Sequence, residues 1–149
     1  MTHQELVQRA AAWLRGTMKC KPVLCELNCW STSEAPDVFG VNSKGSIVVE
    51  CKTSVSDFYA DLRKPFRARP EDGMGRLRFY FTPKGLIAPD RLTLAHGWGL
   101  VEMHGRACRV VKDSEVFRQA SNEECILMRS AWLWRRDMQE LKEARNDAD

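Results

Sequence analysis

The run Ser46-Ile-Val-Val-Glu-Cys-Lys52 constrains the fold more than any other stretch of this chain. Side chains alternate faces along a strand, so Glu50 and Lys52 project to one side while Ile47, Val49 and Cys51 project to the other. Upstream, Asp37-Val-Phe-Gly-Val41 reads as a second strand, and Asn42-Ser-Lys-Gly45 turns it back. That pattern predicts an antiparallel hairpin with Asp37 close to Glu50 or Lys52. With Glu34 just ahead of Asp37, three carboxylates and one lysine fall on two neighbouring strands.

The flanking segments supply helices and further strands. Thr2 with Glu5 is a capping box, and Leu6, Ala10, Leu14 and Met18 recur behind it at helical spacing, predicting a helix to about Gly16 or Lys19. Lys21-Pro22 breaks that helix. Val23 to Trp30 then reads as the first strand, with Val23, Cys25, Leu27 and Cys29 on its buried face and Leu24, Glu26, Asn28 and Trp30 opposite. After Lys52, the cap types Thr53, Ser54 and Ser56 precede a helix from Asp57 to Lys64, stopped by Pro65, in which Asp57 and Asp61 share a face. Phe66 to Arg76, with Pro70, Gly73 and Gly75, reads as a mobile loop of the kind that touches ligands. Leu77 to Phe81 is a strand with Phe79 and Phe81 in the core, as is Trp98. Pro89 to Ala95 is a short helix or turn, and Leu100–Met103 with Cys108–Lys112 forms a last hairpin.

Ser121 with Glu124 is a second capping box, opening a C-terminal helix over about 121–145. Its seam of Leu127, Ala131, Trp134, Met138 and Leu141 fits packing on the domain or a homodimer contact, and Ile126, Trp132 and Leu133 broaden the apolar face toward the former.

A chain of 149 residues, 44% of them hydrophobic, is the size of a single domain, 1–149. It has neither an apolar run long enough to span a bilayer nor the start of a signal peptide, so the expected location is cytoplasmic, with no membrane partner. The six cysteines are expected as reduced thiols, although Cys20, Cys25 and Cys29 are close enough in sequence to raise a metal cluster as the alternative. A net charge of +3 is only mildly basic. Between Arg63 and Arg78, however, six basic residues face two acidic ones, which makes Lys64, Arg67, Arg69 and Arg76 candidates for contacting nucleic-acid phosphates. A solvated charged loop is the competing reading. His3, His96 and His104 are scattered singly and suggest no role.

A hard divalent cation such as Mg²⁺ takes oxygen ligands and is typically held by one or two carboxylates together with substrate phosphate oxygens. Asp37 and Glu50 can supply those carboxylates, with the Cys51 carbonyl as a further ligand. Lys52, two residues past Glu50, points into the same site, where it can orient a water or offset phosphate charge. Clustering Glu34, Asp37 and Glu50 makes most sense with a cation present. Glu-x-Lys alone also describes ordinary surface pairs, so its context decides.

That context is informative. Pro36-Asp37 followed by Glu50-Cys51-Lys52 on the next strand resembles the signature of the PD-(D/E)XK nuclease superfamily. The run Val49 to Phe58 with Asp61, Lys64-Pro-Phe-Arg67, Gly73-Met-Gly75, Arg78-Phe-Tyr-Phe81, Pro83-Lys-Gly-Leu-Ile87 and Gly97-Trp-Gly-Leu100 is similar to small stand-alone members, akin to the MmcB-like DNA repair group. The resemblance covers most of Val23 to Met103 and leaves the C-terminal helix without a counterpart. It implies an α/β (α+β) fold with a restriction-endonuclease-like core, its mixed central sheet having antiparallel first strands and helices on both faces, and it implies frequent dimers. It further implies Asp37 and Glu50 as ligands of Mg²⁺ or Mn²⁺, Lys52 as the catalytic lysine, and Glu34, with Glu26, as acidic positions ahead of the Pro-Asp. The activity implied is metal-dependent hydrolysis of phosphodiester bonds in DNA, in repair, recombination or defence. Two alternatives stand beside it: a catalytically inactive nuclease-fold module that binds nucleic acid or protein, and a structural dimer built on the C-terminal seam.

Overall fold

The computed structural model describes residues 1–26, 34–118 and 123–146. Helix α1 (His3–Gly16) begins as its capping box dictates: the Thr2 hydroxyl accepts from the Glu5 N–H while the Glu5 carboxylate accepts from the Thr2 N–H. Its face of Leu6, Val7, Ala10, Trp13 and Leu14 is buried. Strands β1 (Val23–Cys25), β2 (Val38–Asn42) and β3 (Gly45–Cys51) form an antiparallel meander. Gly45, at φ +139, takes the turn conformation that a side chain would resist, and the Asn42 carboxamide accepts from the Lys44 N–H to close the turn.

Among the described residues six strands make one open sheet in chain order. β4 (Leu77–Pro83) runs parallel to β3, β5 (Gly99–His104) runs parallel to β4, and β6 (Ala107–Lys112) returns antiparallel at the edge. The crossover from β3 to β4 holds helix α2 (Val55–Leu62), capped by the Ser54 hydroxyl, then the short helix α3 (Pro65–Ala68) and a 3₁₀ turn at Pro70–Asp72. The fold is therefore α+β, a mixed sheet with helices on both faces.

Two apolar layers result from the alternation of side chains. On one side α1 packs over Ile47, Val49, Cys51, Phe79, Phe81 and Val101. On the other, Phe39, Val48, Tyr80 and Leu100 meet Phe58 of α2 together with Trp98 and Leu92. Strand β3 is thus buried on both faces, which is why its Glu50 lies inside the protein, 3% exposed.

Several expectations are corrected. The first strand ends at Cys25, because Glu26 adopts φ +47 and leaves the extended region; Leu27 to Ser33, including Cys29 and Trp30, lie outside the described residues. Cys25 is exposed, while Cys20 is buried, and both are free thiols. The segment from Phe66 to Arg76 is a packed crossover rather than a free loop, with Arg67 and Met74 buried.

The last helix, α4 (Glu123–Asn146), matches the expected span; Ser121 lies outside the described residues. Glu124 accepts from the Ser46 hydroxyl at 3.0 Å and from the Gly75 N–H, and Met128 packs on the second core layer. Further along the seam Ala131 is half-buried, whereas Trp134 and Met138 are exposed; Leu127 and Leu141 are outside the residues whose side chains are described. No helix among the described residues is long and apolar enough to cross a membrane.

Candidate active site

The hairpin register places Val38 beside Val49, which brings the preceding residue, Asp37, to the end of β3. There Asp37 Oδ2 accepts from the Cys51 N–H at 2.8 Å. Asp37, Glu50, Cys51 and Lys52 line one cleft of about 290 Å³ together with Asp57, Ala60 and Asp61 of α2 and Lys64 just beyond it. The Lys52 ammonium reaches Glu50 Oε2 at 3.2 Å and Asp61 Oδ1 at 3.4 Å. Three of the four residues expected from the motif, Asp37, Glu50 and Lys52, are thus brought together.

Electrostatics divides their roles. Burial, reinforced by the negative charge of Asp37, pushes the Glu50 carboxyl up to about 7. Burial also opposes the charge of Lys52, yet Glu50, Asp61 and Asp37 outweigh it and raise the ammonium above its ordinary range. The Cys51 thiol is driven up by burial and faces the α1 layer, so only its backbone borders the cleft.

The fourth expected residue, Glu34, is placed differently. It is 1% exposed, and both its oxygens are engaged: Oε1 accepts from Arg67 Nη1 at 2.6 Å and Oε2 from the Met74 N–H at 2.8 Å. Glu34 anchors the crossover at the floor of the site rather than opening to the cleft.

The same contacts correct the reading of the basic run. Arg67 is an interior cation whose Nε meets Asp61 Oδ2 at 2.8 Å and whose Nη2 lies 3.5 Å from Glu50 Oε1, with the guanidinium over the Phe66 and Trp98 rings. It is not available to phosphates. Arg78 is likewise buried, and desolvation pulls it down to about 10. Arg76 is half-buried; Arg69 is exposed and pairs with Asp72 at 2.9 Å. Lys64 stands at the cleft rim with Nζ 2.9 Å from Asp61 Oδ1.

Three members of the site were assigned no role from the sequence. Asp61 is 1% exposed and receives Lys52, Lys64, Arg67 and the Tyr80 hydroxyl, the last at 2.6 Å. Burial opposes its charge, but Arg67 holds its carboxyl well below the usual range. Its helical spacing from Asp57 was the available signal. Tyr80 is beside Glu50 in the parallel register, which no sequence pattern announces. His3 also enters the cleft, its Nε2 3.3 Å from Glu26 Oε1 and 3.5 Å from Asp37 Oδ1, so one histidine that suggested no role borders the site.

The donor set suits a hard divalent cation. Asp37, just ahead of β2, and Glu50 of β3 both line the cleft, and the burial and the Asp37 charge that raise Glu50 are what a bound cation would offset.

No family model matches the chain, and no curated protein matches it. Among solved structures it is similar to a protein of unknown function from Silicibacter pomeroyi, with a TM-score of 0.66 and 23% identity over 95% of this chain and 92% of that one. The likeness shows a shared fold.

Proposed function

We propose that this chain is a metal-dependent nuclease acting on DNA phosphodiester bonds, with Asp37 and Glu50 holding Mg²⁺ or Mn²⁺. The observation that carries this reading is the convergence of Asp37, Glu50 and Lys52 on one cleft at the end of β3. A cation bound there supplies Lewis acidity to a phosphate oxygen and acidifies water. Lys52, favoured as an ammonium by its three carboxylates, suits the role of donor that orients the attacking water and offsets charge on phosphorus oxygens. Asp61 holds that ammonium from behind. Lys64, which lines the rim, is the proposed contact to a phosphate of the bound strand.

The test is a panel of labelled DNA and RNA structures incubated with Mg²⁺ or Mn²⁺ beside the Lys52→Ala protein. Cleavage of at least one DNA form, absent in chelator and in the variant, supports the reading. A panel left intact by wild type with either cation removes it.

Glu50 also sets a pH dependence. Protons compete with the cation for a carboxyl that titrates at about 7, so cation affinity and cleavage rate should fall as pH drops below about 7 and level off above it. In the cation-free protein the sign for stability is opposite: the folded state holds this proton more tightly than the unfolded chain, so stability should decline as pH rises from about 4.5 through about 7. Calorimetric Mn²⁺ titrations and thermal melts between pH 5.5 and pH 8.5 measure both; a flat affinity profile would refute the assignment of Glu50 as a ligand.

One observation favours the inactive binding module instead: both Glu50 oxygens already face cations, Lys52 and Arg67. A wild-type protein that takes up neither Mg²⁺ nor Mn²⁺ supports that alternative.

A further inference from the structure

We infer that Phe66 is a base-stacking contact beside the cleft, so that the DNA bound there is single-stranded where it meets the site. The inference rests on the reading of the cleft as the DNA-cleaving site.

Phe66 is a large aromatic that the core does not use. It is half-buried on the short helix α3 and packs on neither apolar layer. Its ring meets cations instead: the Arg67 guanidinium lies 4.8 Å from the ring centroid and the Lys64 ammonium 5.8 Å from it. Arg67 is fixed in the interior by Glu34 and Asp61, so the ring rests on a group that is itself held in place.

Lys64 ties this ring to the cleft. Its side chain lines the cleft with Nζ 2.9 Å from Asp61 Oδ1, so one ammonium is within reach of both the site and the ring. A strand with one phosphate at Asp37 and Glu50 and a neighbouring phosphate at Lys64 carries the attached base toward Phe66. The local charge suits that occupant: from Leu62 to Pro70 the chain has four basic residues and no acidic one, and Arg63, Lys64 and Arg69 are exposed. An aromatic ring set among cations is how proteins hold single strands, since every base has a π-face to stack. In an intact duplex that face is covered by the neighbouring base pairs, so the contact selects an unpaired base.

The experiment measures binding by fluorescence anisotropy with Ca²⁺ as the cation, and thermal melts check each variant's fold. The probes are labelled oligothymidylate, a duplex of equal length, and an oligothymidylate with a run of abasic sites. Phe66→Leu keeps apolar bulk without an aromatic face, and Phe66→Trp keeps the face. The inference expects wild type to prefer the single strand, Phe66→Leu to weaken single-strand binding about tenfold with duplex binding within about twofold, and Phe66→Trp to match wild type. Abasic sites should weaken wild-type binding by a similar factor and Phe66→Leu binding little further. The inference is overturned if wild type prefers the duplex or binds the abasic strand as tightly as the intact one. These two readings use wild type alone, so they decide even where a variant does not fold. It is also overturned if Phe66→Leu weakens single-strand and duplex binding alike, the mark of a ring that only shields Arg67. Cleavage in Mn²⁺ beside any of those results leaves the nuclease reading standing. The expected binding pattern with no cleavage in Mg²⁺ or Mn²⁺ removes the nuclease reading and keeps Phe66 as a base contact.

Discussion

Lys52→Ala is expected to lower the metal-dependent cleavage rate by about 10²–10⁴-fold, the range for removing one positioned donor or proton-transfer group. Its ammonium is anchored by Glu50 and Asp61, and the residue is 8% exposed. Removing it leaves both carboxylates with one cation fewer, which adds a stability loss to the catalytic one. Two controls separate the effects. Lys52→Arg restores charge without the compact geometry of an ammonium and should recover stability more than rate. Single-turnover rates, measured below each variant's melting transition and at saturating Mn²⁺, isolate the chemical step. A Lys52→Ala protein that cleaves at the wild-type rate would exclude Lys52 from the mechanism.

Asp61→Ala should have the largest effect on stability, a loss of about 3–5 kcal/mol, as expected when one partner of a buried ion pair is removed. Asp61 accepts from Arg67 and Tyr80 while pairing with Lys52, and all four residues are buried. At about 2–4 °C per kcal/mol for a chain of this size, the melting midpoint should fall by about 10 °C. The contribution is linked to pH: because the folded carboxyl titrates below its unfolded value, the stabilisation is present at neutral pH and is lost as pH falls through the folded value. Chemical denaturation of wild type and Asp61→Ala at pH 7 reads the difference directly, and a change under about 1 kcal/mol would contradict the network described here.

Much of the scaffold was legible because its determinants are local. Period-two alternation identified β3 and its faces, the Asn-to-Gly turn set the hairpin, and the capping box of Thr2 and Glu5 located α1. The approach of Asp37 to Glu50 and Lys52 followed from that register alone. The basic run was misread because charge density in sequence does not reveal burial; Arg67 is inside only because Glu34, Glu50 and Asp61 await it there. Glu34 was read as an acidic member of the site for the same reason, its partner lying 33 residues away.

By itself, then, the sequence determined the strand and helix periodicities, the hairpin register and the three polar residues that this register carries to one end of β3. Only the tertiary structure decided which charges neutralise one another. The parallel pairing of β4 with β3 sets Tyr80 beside Glu50, the packing of α2 on the second layer turns Asp61 under Lys52, and the folded crossover drives Arg67 between them. The reason is physical: backbone periodicity depends on near neighbours in the chain. The partner of a buried charge is chosen by whatever distant segment can meet the cost of removing that charge from water.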